Sequence, residues 1–190
     1  VDAVLFTHGH ADHIFGFDDI RSFNVIQKQV IPAYATTSTL SDVQRAFDYV
    51  GPEGEEGVYR PLIDFIAIDD RFDVGDFQVE PLHVEHGPKP TCGFLFEQAG
   101  RSFAYVPDCS RMQDTVVERL RGIDVMVLDG LRHRPHKTHL TVAQALELLD
   151  RIGARESYLT HMTHDLDHAV TERDLPPSIR LSYDGLILEW

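Results

Sequence analysis

The sequence predicts an α/β protein in which stacked β-sheets are covered by helices. Strand-like apolar runs are bunched in the middle of the chain, and segments with helical spacing flank them. In addition, residues with metal-ligand chemistry recur directly after apolar runs. Strand ends of that kind are where sites gather in open α/β architectures.

The elements follow in order. Val1 to Phe6 reads as a buried strand already under way, so further strands are expected to precede it. Ile14 to Phe23 reads as a short helix and turn. Val30 to Ala35 is a strand, with Pro32 marking an edge or bend. Ser38 to Val50 carries Leu40, Val43, Ala46, Phe47 and Val50 at helical spacing. Gly51 to Pro61 holds three Gly, two Pro and three Glu, the composition of a surface loop; a lid and a plain connection are both compatible with it. Strands follow at Leu62–Ile68, Phe77–Val84, Gly93–Glu97 and Ser102–Val106, the last two joined by a hairpin turn at Ala99-Gly100. Thr115 to Leu120 is a short helix, and Val125 to Leu128 is a fully apolar strand. Thr141 to Ile152 is a helix opened by a Thr141/Gln144 capping box and closed by Gly153. Tyr158 to Thr160 is a short strand. Ile179–Leu181 and Leu186–Glu189 read as a terminal pair around Asp184-Gly185.

Composition narrows the function classes. The 190 residues are 43% hydrophobic and 25% charged, values of a globular protein with a real core. No apolar run approaches the roughly 20 residues of a membrane span, and no signal peptide is visible, so a cytoplasmic location is expected. Two cysteines, Cys92 and Cys109, do not make a disulfide framework or a Cys-rich zinc site, and free thiols are expected. A net charge of −14 repels polynucleotides and anionic membranes, so neither long nucleic acid nor a membrane is an expected partner. A short phosphorylated molecule at a locally positive metal site remains compatible, as does a homodimer.

The most informative stretch is Thr7-His8-Gly9-His10-Ala11-Asp12-His13, directly after the first strand. Imidazole and carboxylate are ligands that borderline divalent metals prefer. Gly9 permits a tight backbone, and Ala11 does not crowd it. Four such residues exceed what one four-coordinate ion usually takes from a loop. Two metals side by side are the simplest inference, with His8 and His10 on one and Asp12 and His13 on the other. Further donors follow later apolar runs: His83 and His86 before Gly87, Asp108 after Val106-Pro107, and His161 and His164 after Tyr158-Leu159-Thr160. Singly, each has a bland reading as a helix cap or a polar loop residue.

The pattern His-x-His-x-Asp-His, followed by an isolated His, an Asp and a final His, resembles the metallo-β-lactamase-fold hydrolases over nearly the whole chain. The resemblance implies an αββα sandwich, a single hydrolase domain over residues 1–190 that is N-terminally incomplete, and two divalent ions, Zn2+ or Mn2+ with Fe also compatible. It implies one ion on His8, His10 and His86, the other on Asp12, His13 and His161, and Asp108 bridging. His83 and His164 are left as residues that orient ligands, with His164 the rival of His161. Asp108, where some lactamases of the superfamily carry Cys, favours a bridged site over an antibiotic-degrading lactamase.

Within that superfamily the chain most resembles the phosphodiesterases of phosphonate utilisation, which act on phosphoribosyl cyclic phosphates. Leu159-Thr160-His161-Met162-Thr163-His164, Val106-Pro107-Asp108 and a His-bearing loop before the last long helix carry this resemblance. That loop, Arg132 to His139, holds three His, two Arg and one Lys in an acidic protein. It reads as an anion-binding, proton-donating loop or as a flexible basic one. By position His139 matches the branch's catalytic acid, with His136 and His133 as alternatives; Arg132, Arg134 and His136 are the candidate substrate contacts. The implied reaction is hydrolysis of a small, cyclic or nucleotide-like phosphodiester by a metal-bridging hydroxide, with Asp12 orienting the nucleophile and His139 protonating the leaving oxygen. Three other readings compete: a thioesterase or glyoxalase-II-like hydrolase, a flavin-linked di-iron oxidoreductase, and a non-catalytic metal-stabilised binding protein. The intact His10 and the short chain count against the oxidoreductase.

Overall fold

The computed structural model describes residues 1–52 and 59–189. The described chain forms two compact units, Val1–Asp76 and Phe77–Trp190. The centre of the 51–61 loop, read above as a lid or connection, lies outside the described residues.

The first unit is a small parallel sheet with helices. Its strands are β1 (Val4–Leu5), β2 (Ile31–Ala35) and β3 (Ile63–Ala67), paired in that order. Its helices are α1 (Ala11–Ile14), α2 (Ile20–Gln27) and α3 (Thr37–Ala46), with a 3-10 turn at Phe17–Asp19. A short strand, β4 (Phe72–Val74), ends the unit. Phe6, Phe17, Ile31, Ala33, Val43, Phe47 and Ile63 form its core. The rings of Phe6 and Phe17 meet edge to face at 4.9 Å, a favoured aromatic geometry. Buried Asn24 staples α2 to β3: its amide donates to the Gln29 and Leu62 carbonyls, and its oxygen accepts the Leu62 N–H. The first strand is shorter than Val1 to Phe6, although Phe6 N–H still bonds the Tyr34 carbonyl at 2.9 Å. Helix α3 starts under a Thr36 cap and ends at Ala46, because Phe47 leaves helical geometry (φ −130°, ψ 60°). Its periodicity to Val50 belongs to packing beyond the helix.

The second unit carries β5 (Phe77–His86), β6 (Lys89–Gln98), β7 (Arg101–Val106), β8 (Val125–Asp129), β9 (Glu156–Thr160) and β10 (Ile179–Leu181). Helices α4 (Asp114–Arg119), α5 (Val142–Ile152) and α6 (His168–Asp174) are the crossovers between the parallel strands. The pairings β5–β6 and β6–β7 are antiparallel; β7–β8, β8–β9 and β9–β10 are parallel. Two reversals restore direction, so β5, β7, β8 and β9 all point the same way. Their C-terminal ends lie along one edge of the sheet, which is why residues distant in sequence can meet there. Every residue of β8 is buried, as a central parallel strand covered on both faces should be. Met126 and Leu128 face α4 and α5 over a core with Leu95, Val106, Leu148 and Ile152, while Val125 and Val127 face Tyr158. The capping box of α5 is formed in both directions, and Gly153 closes it in the left-handed region at φ 65°. Ala99 and Gly100 make the hairpin turn with φ 50° and 80°.

Leu186–Glu189 is not a strand. Strand β10 instead pairs parallel with β9, and Leu186 and Leu188 are partly buried against the Val125–Val127–Tyr158 cluster. Their apolar alternation thus reflects side-chain packing without a ladder. No helix among the described residues is long and apolar enough to cross a membrane.

Candidate metal centre

The donors of the first unit lie where β1 gives way to α1. His8 is fully buried. Its Nδ1 meets the Thr7 hydroxyl at 3.1 Å, and its Nε2 stands 2.9 Å from His10 Nδ1. His13 packs its ring 4.3 Å from that of His8 and lies 3.5 Å from the Asp12 carboxylate. Asp12 and His13 sit on one short helix, α1, whose N-cap is His10.

Gly9 is needed here for a different reason from the one its sequence context suggested. It is not among the positive-φ glycines. A Cβ at Gly9 would come within 2.5 Å of the Asp42 Cβ on α3. The loop lies against that helix, so Gly9→Ala is expected to cost about 1–3 kcal/mol of stability through overpacking, measurable as a shift in denaturation midpoint.

The second unit gathers its donors at the shared sheet edge. His86, the last residue of β5, is 2% exposed and Asp108, just beyond β7, is 1% exposed. His86 Nδ1–H donates to the Thr138 carbonyl at 2.8 Å. A carbonyl can only accept, so the tautomer is fixed and Nε2 presents a lone pair. That Nε2 stands 3.4 Å from Asp108 Oδ2, and His161 Nε2 stands 3.6 Å from Asp108 Oδ1. Two donors on one four-coordinate ion at about 2.0–2.2 Å stand roughly 3.3 Å apart. The separations at Asp108 fit ligands converging on a cation, and the 2.9 Å between His8 and His10 nitrogens is close to it. The donor chemistry of each unit therefore fits a borderline divalent metal.

His161 reaches Asp108 from a strained backbone. Its φ is 59°, a region that non-glycine residues seldom enter and that persists at functional sites. His164 does not join His161: its side chain is 97% exposed. Exposed His83 lies on the face of β5 opposite His86, three residues away on an alternating strand. Neither residue therefore orients a buried ligand.

His139 completes the cluster. Its ring stacks on that of His161 at 4.9 Å and meets His86 edge to face at 4.6 Å. Ligand atoms of Asp108, His139 and His161 all lie within 4.8 Å of one another. His139 Nδ1 donates to Asp129 Oδ2 at 2.9 Å. The same oxygen accepts the N–H of Cys109 at 3.0 Å and of Leu140 at 3.3 Å. Burial pushes the Asp129 carboxyl up; the bonds from His139 and Cys109 oppose that shift. Three N–H donors on one oxygen leave Oδ2 as acceptor, so His139 carries its proton on Nδ1 and turns Nε2 to the cluster. Asp129 escaped sequence reading as a functional residue. The available signal was a carboxylate closing a wholly apolar strand.

The loop from Arg132 to His139 is organised by its own bonds. Arg132 donates to the Arg134 and Pro135 carbonyls. Exposed Arg134 pairs with Asp165 at 2.6 Å, and His136 lies against the Thr138 hydroxyl at 3.2 Å. Burial, then the neighbouring His139 and Arg132, lower the pKa of His136.

The pattern of the Beta-lactamase superfamily domain matches residues 1–162. The chain belongs to this superfamily. Its mixed α/β, sheet-rich build is the metallo-β-lactamase fold. A crystal structure of a diphosphatase from the PhnP family superposes with TM-score 0.88 at 36% identity, over all of this chain and 72% of that one. Zn(2+)-bound PqqB from Methylobacterium extorquens shares the fold, with TM-score 0.74 at 22% identity over 99% of this chain and 73% of that one. Among curated relatives, an octanoyltransferase of Porphyromonas gingivalis is 32% identical over 98% of this chain. Coenzyme PQQ synthesis protein B of a Methylobacterium species is 33% identical over 68% of it. The chain spans only 37% and 46% of the lengths of those two relatives.

Proposed function

We propose that this superfamily member is a phosphodiesterase acting on a small phosphodiester or diphosphate through two divalent ions. His8, His10 and His86 would hold one ion and Asp12, His13 and His161 the other, with Asp108 shared between them. Bound ions would supply Lewis acidity toward water and toward a phosphoryl oxygen.

The observation that carries the reading is the pair of buried Asp129 and part-buried His139 beside Asp108. An alkoxide leaving from phosphorus needs a proton. Asp129 holds the His139 ring by Nδ1, so Nε2 is the atom that delivers that proton. The negative charge of Asp129 stabilises the imidazolium between turnovers. Asp12, in the first turn of α1, orients the attacking water. Arg132 and His136 border the leaving-group side, and Arg134 acts there only after release from Asp165. The diphosphatase likeness supports a phosphorus centre. Buried Cys92 and Cys109, both pushed up to about 12 by burial, suit a cytoplasmic protein and serve as packing.

The octanoyltransferase likeness keeps one rival, hydrolysis of an acyl thioester at the same centre. A panel of bis-p-nitrophenyl phosphate, an acyl thioester and a β-lactam, each with metal-loaded protein, separates them. Turnover of the phosphodiester at least about tenfold above the others in kcat/KM is expected, a difference of ~1.4 kcal/mol in transition-state binding. Preference for the thioester would overturn the reading.

A further inference from the structure

A cavity of about 420 Å³ opens beside His161, lined among others by Tyr105, Val127, Met162, Ser182 and Tyr183. We propose that this cavity is a subsite for the neutral ring of a nucleoside, held against Tyr183 and Tyr105, in the substrate cleaved at the metal centre. The inference rests on the phosphodiesterase reading for its orientation: a phosphoryl group near His161 would direct the remainder of its molecule into the adjoining space.

The walls define the ligand's chemistry. The floor is apolar: Val127 belongs to a buried cluster with Val125 and Tyr158, against which Leu186 and Leu188 pack. Among the described residues, the cavity lining holds no Lys or Arg, and its one carboxylate is Asp184. A second phosphate would find repulsion there, whereas sugar hydroxyls would find an acceptor. Both tyrosines expose apolar surface, 37% for Tyr105 and 60% for Tyr183. Aromatic faces of this kind accept flat bases by stacking.

The cavity is preorganised and tied to the centre. Tyr183 opens a turn closed by the Leu186 N–H on its carbonyl at 3.1 Å, with Gly185 at φ 89°. Ser182 anchors the turn to β9 through its N–H and hydroxyl, both donating to the Leu159 carbonyl at 2.8 and 2.9 Å. Tyr105 lies three residues before Asp108, whose charge helps raise the phenol's pKa after burial. The ring subsite and the phosphoryl site thus share strands β7 and β9.

Equilibrium dialysis with adenosine, which has no phosphorus, tests the subsite independently of activity. Wild type is expected to bind adenosine, Tyr183→Ala to weaken binding about tenfold, and Tyr183→Phe to retain it. Exposed Tyr183 can be truncated without loss of fold, which thermal melting of each variant would verify. No adenosine binding by wild type, or equal binding by Tyr183→Ala, would overturn the subsite. A second arm compares adenosine 2′,3′-cyclic phosphate with glycerol 1,2-cyclic phosphate. Tyr183→Ala should raise KM for the nucleotide more than for the glycerol diester; an equal change for both substrates would overturn it. Adenosine binding without hydrolysis of either diester would support the subsite while refuting the phosphodiesterase reading.

Discussion

The His139→Ala variant is expected to lose about 10²–10⁴-fold in kcat on a diester with an alkoxide leaving group. It should lose far less on a p-nitrophenyl diester, whose leaving group departs without a proton. The contrast follows from the bond between His139 Nδ1 and Asp129 Oδ2, which leaves Nε2 to serve as the acid. Asp129→Asn should shift activity in the same direction by a smaller factor. The amide oxygen can still accept the Cys109 and Leu140 N–H groups, while the charge that stabilises an imidazolium is removed. The measurement is kcat across a series of leaving groups of rising pKa, with a pH–rate profile for each protein. Equal loss for every leaving group would instead make His139 a metal ligand, a role its place beside Asp108 and His161 also permits geometrically.

The second large effect is expected at Asp108. Asp108→Ala should lower metal affinity and reduce hydrolysis of every substrate by at least about 10³-fold, removing the several kcal/mol of charge stabilisation that bound metal supplies. Asp108 is 1% exposed and faces both His86 and His161, so its loss leaves the two imidazoles without their shared carboxylate. Metal content of the purified variant, measured beside its circular dichroism spectrum, separates loss of metal from loss of fold. Full metal content with full activity in Asp108→Ala would sink the assignment.

Much of the candidate centre was legible in the sequence, because metal donors are chemically rare and strand ends are marked by apolar runs. His8, His10, Asp12 and His13 announce themselves by crowding. His86, Asp108 and His161 are visible because each follows an apolar strand, and parallel direction in β5, β7, β8 and β9 brings the last three to one edge. Strand alternation puts His83 on the face of β5 opposite His86, and His161, in a left-handed turn, lies beside Asp108 while His164 stays exposed; neither backbone fact can be read from composition. Asp129 was hidden for a similar reason. An aspartate after an apolar strand resembles an ordinary strand end until three donors are seen to converge on one oxygen. The role of Gly9 was also hidden, because its constraint comes from Asp42 on a distant helix. Leu186–Glu189 shows the converse error: apolar spacing reports burial, and burial does not require a ladder.

The most direct test of the central claim is a metal titration of chelator-stripped wild-type protein, with bound ions and hydrolysis of bis-p-nitrophenyl phosphate followed together. Two ions per chain, with activity appearing as the second site fills, is the predicted result. Saturation at one ion with full activity, or hydrolysis that persists in the stripped protein, would contradict it.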